Sequence, residues 1–141
     1  MHKGKRGFTL LEIMIVVILI SLLAGFASVK IIGRFQRAKI KIAESTIKGT
    51  LGVALGQFYV DNDFFPTTDQ GLAALVEKPA GSPEPRQYDA EGYLDELPLD
   101  PWDTPYSYEC PGRHNPRRYD LWSAGPDRQS GTDDDIVNWR R

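Results

Sequence analysis

One carboxylate, that of Glu12, lies inside an apolar run near the start of the chain. The run from Phe8 to Val29 is 22 residues long, has Glu12 as its one ionisable group, and follows a short basic segment that ends in Gly7. A charge at the centre of a bilayer costs at least about 2.5–3.5 kcal/mol, which makes such an acid a candidate for function. The alternative is a structural role, because a helix start near the membrane surface also favours an anion.

A cut between Gly7 and Phe8 would give this carboxylate a partner. The new α-amino group, with an ordinary pKa of about 7.7–8.0, would stand at the tip of an apolar helix that has lost its basic leader. Glu12 lies about one helical turn along and offers a counter-charge, either within the chain or on an adjacent copy. Because a buried ion pair fixes register better than it adds stability, the pattern predicts that Glu12 sets the register of an assembly.

A second group of acids lies near the other end of the chain, in the segment AGPDRQSGTDDDIVNW. Four aspartates fall within nine residues there: Asp127, Asp133, Asp134 and Asp135. A hard cation such as Ca²⁺ takes roughly six to eight oxygen ligands, and carboxylates crowded together without a cation repel one another. The spacing is not that of an EF-hand loop, so a solvated acidic turn is the alternative interpretation.

Charge is divided unevenly along the 141 residues of the chain. Residues 1–41 carry a net charge of +7 and the remaining residues carry −9. This division predicts a basic, membrane-associated arm and an acidic soluble body, and a body this acidic argues against general nucleic-acid binding.

The single cysteine, Cys110, excludes an intramolecular disulfide. The two histidines, His2 and His114, are too far apart in sequence to indicate a zinc site.

The apolar run is long enough to cross a membrane as a helix. At about 1.5 Å per residue, Phe8 to Val29 would span about 33 Å, against about 30 Å for a bilayer core. A cleaved secretory signal is disfavoured because the small residue precedes the run. Apolar residues continue at three- and four-residue steps, with a shift of phase near Ser45. The sequence therefore predicts one helix from about Phe8 to about Val60, whose later stripe comprises Phe35, Ala38, Ile42, Ile47, Leu51, Leu55 and Phe58.

The body begins where Phe64, Phe65 and Pro66 break this helix. TTDQGLAALVEKP predicts a short helix, since Thr67 and Gln70 have the spacing of a capping box, and Pro79 ends it. A proline-rich connection follows over residues 79–105, and we expect it to be anchored on the helix by aromatic and leucine side chains, namely Tyr88, Tyr93, Leu94, Leu97 and Trp102.

Three strands complete the predicted fold. PYSYEC and RRYDLWSA alternate in polarity, and a third strand is predicted at Ile136–Trp139. In the second strand the inward set would be Tyr119, Leu121 and Ser123, with Asp120 and Trp122 facing outward. The predicted fold class is α+β, with a small antiparallel sheet packed on the second half of the long helix.

The segment KRGFTLLEIMIVVILI resembles the class III signal of type IV pilins and pseudopilins, which has a basic leader, a glycine, a phenylalanine and then a glutamate. In that family a prepilin peptidase cuts after the glycine and methylates the new N-terminus. The resemblance implies cleavage between Gly7 and Phe8, N-methylation of Phe8, and Glu12 as the registration acid. It also places the leader in the cytoplasm, which charge counting alone leaves open. Family members usually have Pro at the position of Val29 and often Gly at that of Ser21, so local melting of the helix during assembly is not implied for this chain.

Three further blocks, DFFPTTDQGLAALVEKP, LPLDPWDTPYSY and AGPD…GTDDDIVNW, closely resemble the major pseudopilins of type II secretion systems. Those proteins bind one Ca²⁺ in the C-terminal loop, where many type IV pilins have a disulfide. The resemblance implies carboxylate ligands from Asp127, Asp133 and Asp135, together with the carbonyl of Ala124. Asp134 would then face outward.

This resemblance implies a cleaved cytoplasmic leader (residues 1–7), a transmembrane assembly helix (8–30) and a periplasmic pseudopilin domain with the calcium loop (31–141). Processed chains would polymerise in the inner membrane into a pseudopilus, a homo-oligomeric helical fibre that drives folded proteins through an outer-membrane channel. The implied partners are minor pseudopilins, the inner-membrane secretion platform, the prepilin peptidase and membrane lipid, with no nucleic acid.

Two other classes of function stay open at this point. The first is a minor pseudopilin or a true type IV pilin, which would share the N-terminal helix. The second is a membrane-anchored periplasmic enzyme or binding module. The sequence contains no nucleophile motif, phosphate-binding loop or pair of metal-binding histidines, so a non-enzymatic role is expected.

Overall fold

The computed structural model describes residues 7–140, without the side chains of residues 25–32. The first six residues of the predicted leader therefore lie outside the described residues. The chain forms two compact units, Met1–Arg37 and Ala38–Arg141. Within the described part of the chain, no helix combines the length and the hydropathy needed to cross a membrane.

The predicted long helix is confirmed, and it contains a change of winding. Helix α1 spans Leu10–Ser45, a π-helical segment follows at Thr46–Leu51, and helix α2 spans Gly52–Asn62. The backbone stays helical across both junctions. Helix α2 ends at Asp63, which adopts a left-handed conformation with φ of 67° and donates its N–H to the Tyr59 carbonyl at 2.8 Å.

The π-helical segment is the structural cause of the shift of phase that was predicted near Ser45. A four-residue step on an α-helix turns through about 400°, so side chains spaced by four drift about 40° per step. The wider turns of a π-helix oppose this drift, and they keep one line of side chains on the core: Ala43, Ile47, Leu51 and Leu55, none more than 2% exposed. The predicted stripe is wrong before the shift, because Phe35 and Ile42 are 68% and 55% exposed.

The reciprocal hydrogen bonds predicted between Thr67 and Gln70 are present, but they lie in the turn before the short helix, whose N-cap is Gly71 and has no side-chain cap hydrogen bond. The Thr67 N–H donates to Gln70 Oε1 at 3.0 Å, and the Gln70 N–H donates to Thr67 Oγ1 at 3.2 Å. The helix is a single 3₁₀ turn, Leu72–Leu75, and it ends before Pro79. In the connection that follows, the predicted anchors Tyr88, Tyr93, Leu94 and Trp102 pack against the core, whereas Leu97 is 39% exposed.

The sheet has three antiparallel strands, as predicted: β1 is Ser107–Glu109, β2 is Asp120–Ser123 and β3 is Ile136–Val137. The strand order is β1-β2-β3, and β3 is two residues shorter than expected. Tyr108 pairs with Leu121, and Ser123 pairs with Ile136. The outward orientation predicted for Asp120 is wrong: its side chain is buried, because its carboxylate accepts hydrogen bonds from the preceding turn.

Candidate functional site

The N-terminal motif lies at the start of α1. Phe8 is 79% exposed, and the Thr9 hydroxyl accepts the Glu12 N–H at 3.2 Å. This contact satisfies one of the backbone donors that a helix start leaves unpaired. Glu12 thus lies in the first turn of the helix with an exposed side chain. The local geometry leaves Phe8 and the Glu12 carboxylate available to a neighbour.

The first part of α1 has an apolar surface all round. From Leu10 to Leu23 its residues are apolar except Glu12 and Ser21, and each of the large apolar side chains is at least 46% exposed. Single exposed apolar side chains are ordinary, but an extended apolar surface marks an interaction site. Helices that are apolar on every side are covered either by protein or by lipid.

The acidic loop connects β2 to β3. Its base is closed by the pairing of Ser123 with Ile136, and its first residue, Ala124, is 5% exposed. Gly125 has φ of 68°, and a Cβ atom there would lie 2.4 Å from the Asp134 carbonyl oxygen. Glycine is therefore required at this position by both backbone conformation and space.

Asp134 is turned into the loop, which corrects the prediction that it faces outward. Its Oδ2 accepts the Asp127 N–H at 3.2 Å, and its Oδ1 accepts the Thr132 hydroxyl at 2.5 Å. The Thr132 hydrogen bond lowers the pKa of the Asp134 carboxyl below its usual range. Of the neighbouring residues Asp133 and Asp134, Asp133 has the exposed side chain. The resemblance implied the opposite arrangement, with Asp134 facing outward.

Two of the predicted ligands, Asp127 and Asp135, accept hydrogen bonds from the loop backbone. Asp127 Oδ1 accepts the Gln129 N–H at 2.8 Å, and Asp135 Oδ2 accepts the Gly131 N–H at 2.8 Å. These contacts hold the two carboxylates within the same loop, each beside a tight turn.

The loop contains oxygen donors of the kinds that a hard cation binds. Asp127, Asp133 and Asp135 offer carboxylate oxygens and Ala124 offers a carbonyl, which are the ligand types that Ca²⁺ takes. In the part of the chain that is described, no three acidic, histidine or cysteine side chains are grouped closely enough to hold a metal. The donors thus fit Ca²⁺ in kind, and binding would draw the carboxylates closer together.

A buried network that the sequence did not predict reaches the loop from the proline-rich connection. Asp100 is 3% exposed, and its Oδ1 accepts the N–H groups of Trp102 and Thr104 at 2.9 and 2.8 Å. Its Oδ2 accepts the Ser123 hydroxyl at 2.5 Å, and Ser123 Oγ accepts the Gly125 N–H at 3.1 Å. The sequence signal was the segment DPWDT, since an aspartate before a turn commonly accepts nearby backbone N–H groups.

The fold and the N-terminal motif recur in known proteins. Residues 30–139 match the family model described as type II secretion system (T2SS), protein G, and residues 2–28 match the prokaryotic N-terminal methylation motif. The crystal structure of the major pseudopilin from the type 2 secretion system of enterohaemorrhagic Escherichia coli is 41% identical to this chain, with a TM-score of 0.69. That match covers 76% of this chain and 87% of the other. The long helix with its small antiparallel sheet is therefore a pseudopilin fold.

Relatives that match nearly the whole chain show which family of pseudopilins it belongs to. The type II secretion system core protein G of Pseudomonas aeruginosa is 43% identical over 141 residues, covering 98% of this chain and 97% of the relative. The core protein G of Escherichia coli K12 is 46% identical over 135 residues, covering 96% and 91%. That of Vibrio cholerae is 43% identical over 140 residues, covering 97% and 93%. The chain belongs to the type II secretion system protein G family, which confirms the resemblance drawn from its sequence.

Proposed function

We propose that this chain is the major structural subunit of a type II secretion pseudopilus. Processed copies polymerise in the inner membrane into a periplasmic helical fibre, and the fibre drives folded proteins through an outer-membrane channel. The observation that carries this proposal is the apolar surface of α1 from Leu10 to Leu23, exposed on all sides in a member of the protein G family. Packing of such helices side by side would bury that surface in the core of the fibre.

The proposal includes processing and a defined topology. A prepilin peptidase cuts between Gly7 and Phe8 and methylates the new α-amino group, which fits the match of residues 2–28 to the methylation motif. The leader is cytoplasmic, residues 8–30 lie in the inner membrane as a single span, and residues 31–141 are periplasmic. The uncharged sequence from Ile13 to Val29 supports the membrane location. The chain is a substrate of the peptidase and needs no catalytic residues of its own.

Glu12 is proposed to register each subunit against its neighbour. After cleavage, the ammonium group of Phe8 in one copy would meet the Glu12 carboxylate of the next copy, since the residues Phe8 and Glu12 are both exposed. In a low-dielectric environment, an unpaired ammonium or carboxylate is strongly disfavoured. Sliding of one helix along another would therefore stop at the position where the two charges pair.

The fibre implies other partners. Minor pseudopilins would join the same helical array, and the inner-membrane secretion platform would add subunits at its base. Membrane lipid would cover the apolar part of α1 before assembly. Head-to-tail contacts between copies produce open helical filaments when they do not close into a ring. The proposed fibre requires this symmetry.

The acidic loop is proposed to bind one Ca²⁺. Asp127, Asp133 and Asp135 would supply carboxylate oxygens and Ala124 would supply a carbonyl oxygen. The cation would neutralise the repulsion among acids that are crowded into a short loop. Its role would be structural: it would hold the β2–β3 connection in one conformation within the subunit.

Expression of the chain with its peptidase and secretion machinery tests the proposed function. Electron microscopy of sheared cells should show fibres, and mass spectrometry of the fibre protein should give a chain that begins at N-methylated Phe8. Retention of residues 1–7 in assembled material would overturn the processing scheme. A processed chain that forms no fibre by itself but is required at low copy number would instead indicate a minor pseudopilin.

A further inference from the structure

The buried Asp100 carboxylate is connected to the first peptide group of the acidic loop by a single hydroxyl. Asp100 and Ser123 are 3% and 0% exposed, and their side chains are joined by the 2.5 Å hydrogen bond from Ser123 Oγ to Asp100 Oδ2. Ser123 Oγ in turn accepts the N–H of Gly125 at 3.1 Å. The two residues come from segments 23 positions apart in sequence, so this relay ties the proline-rich connection to the start of the loop.

The last bond of the relay fixes the orientation of a peptide group. The Gly125 N–H belongs to the same planar unit as the Ala124 carbonyl, and this peptide bond is trans. In a trans peptide the N–H and C=O point in opposite directions. When Ser123 holds the N–H on one side, the Ala124 carbonyl oxygen must point to the other. A flip of this peptide would cost the Gly125 hydrogen bond in a buried site.

The rest of the Asp100 carboxylate is also held in place. Its second oxygen accepts two backbone N–H groups, those of Trp102 and Thr104. The Asp100 N–H donates to the Thr104 carbonyl at 2.9 Å. The side chain therefore has one orientation, and the oxygen that faces Ser123 cannot turn away without breaking contacts on the opposite side.

We infer that Asp100 and Ser123 are positioning residues that hold the Ala124 carbonyl in place for the cation. This inference rests on the proposed calcium site and names the groups that orient one of its ligands. Neither residue would touch the cation. The hydroxyl of Ser123 acts on the Gly125 N–H, and the carboxylate of Asp100 acts on the hydroxyl, which it fixes as an acceptor toward Gly125. Partners that orient metal ligands in this way commonly change metal affinity by about 10–100-fold when removed.

Calcium titration of the full chain in detergent micelles by calorimetry tests the inference. Ser123→Ala should weaken Ca²⁺ binding by about tenfold or more, because the Gly125 N–H loses its acceptor. Asp100→Asn, which keeps the shape of the side chain, should weaken binding less, since the Ser123 hydroxyl can still accept from Gly125. Ser107→Ala on β1 and Asp103→Asn in the same turn as Asp100 are the matched controls, and both should bind Ca²⁺ like the parent chain. If Ser123→Ala bound Ca²⁺ as tightly as the parent chain, the inference would be overturned, even if the melting temperature of the variant were lowered. The relay would then have only a structural role.

Amide hydrogen exchange separates this inference from the calcium proposal. In the absence of Ca²⁺, exchange of the Gly125 N–H should be at least tenfold faster in Ser123→Ala than in the parent, and faster to a smaller extent in Asp100→Asn. If the parent chain bound no Ca²⁺, the calcium site and the role of the relay toward it would both fail, and faster exchange would then identify the relay as a loop anchor only. Unchanged Gly125 exchange in Ser123→Ala would overturn the relay itself. Asp100→Asn keeps the test available if Ser123→Ala does not fold.

Discussion

The buried Asp120 carboxylate accepts the backbone N–H of His114 at 2.8 Å through its Oδ2 atom. Its Oδ1 accepts the backbone N–H and the side-chain amide of Asn115, both at 3.0 Å. Gly112 packs so closely against Asp120 that a Cβ atom there would lie 2.4 Å from Oδ1. One acid in β2 therefore organises the whole turn that connects β1 to β2.

Asp120→Ala should destabilise the protein by about 3 kcal/mol, because several buried or half-buried N–H donors lose a charged acceptor at once. Urea unfolding followed by circular dichroism measures the change. Asp95→Ala removes an exposed acid from the proline-rich connection and should stay within about 0.5 kcal/mol of the parent. Equal stability of the two variants would show that the turn does not depend on Asp120.

Glu12→Ala should be cleaved normally and should assemble poorly. Cleavage depends on the segment around Gly7 and Phe8, whereas register depends on the carboxylate. Glu44→Ala is the matched control, since Glu44 is the other acid of α1 and is also exposed. The measurement is fibre yield by electron microscopy, together with the mass of the processed chain. A fibre yield from Glu12→Ala equal to that from Glu44→Ala would remove the registration role.

Chelation of Ca²⁺ should lower the melting temperature of the full chain. A ligand present at about 100 times its Kd stabilises the folded state by about 2.7 kcal/mol. Asp127→Ala should abolish the calcium-dependent part of the melting temperature, whereas Glu96→Ala, an exposed acid elsewhere, should retain it. Identical melting curves for the parent chain with Ca²⁺ and with chelator would eliminate the calcium proposal.

Stability should fall as pH rises from about 10 to about 12. Burial, with a hydrogen bond to Asp61 as the second cause, raises the pKa of Tyr93 from 10.0 to about 12. Over this interval the unfolded chain loses the Tyr93 proton while the folded chain keeps it, so unfolding is favoured as pH rises. Melting temperatures at successive pH values should decline less steeply for Tyr93→Phe than for the parent. An unchanged slope would mean that Tyr93 has an ordinary pKa in the folded state.

Leu55→Ala should cost about 2–5 kcal/mol of stability, because it opens a cavity between α2 and its packing partners. Leu55 is 0% exposed, whereas Val53 on the same helix is 68% exposed. Val53→Ala therefore serves as the control and should change stability by less than about 0.5 kcal/mol. Chemical denaturation of both variants under identical conditions provides the comparison.

Periodicity predicted the elements of this fold better than it predicted which side of them is buried. The long helix, the reciprocal hydrogen bonds of Thr67 and Gln70, and three antiparallel strands all followed from local pattern, although Gly71 rather than Thr67 is the N-cap of the short helix. The buried residues before Ser45 did not follow from the pattern. The sequence showed that the apolar stripe shifts its phase near Ser45, but it did not show the direction of the shift. The π-helical segment made Ala43 the buried residue, and left Ile42 exposed.

Polar residues account for the other differences. Alternation in β2 placed Asp120 outside, since sequence pattern cannot reveal that a carboxylate will be satisfied by N–H groups of a neighbouring turn. The same limit applies to Asp134, which is directed inward by the Thr132 hydroxyl, and to Asp100, whose partner Ser123 is distant in sequence. The acidic character of the loop was visible from composition, but its internal hydrogen bonds were not.

The pairing of Ser123 with Ile136 closes the base of the β2–β3 connection independently of what lies between them. Strand register is already set at that point, so an insertion or deletion within the connection would not slide the sheet. The entropic penalty of lengthening a closed loop grows only logarithmically, by about 0.6 kcal/mol for each doubling. The length of this connection can therefore differ between relatives without a change of strand register, whereas an insertion between Asp127 and Asp133 would separate the proposed calcium ligands.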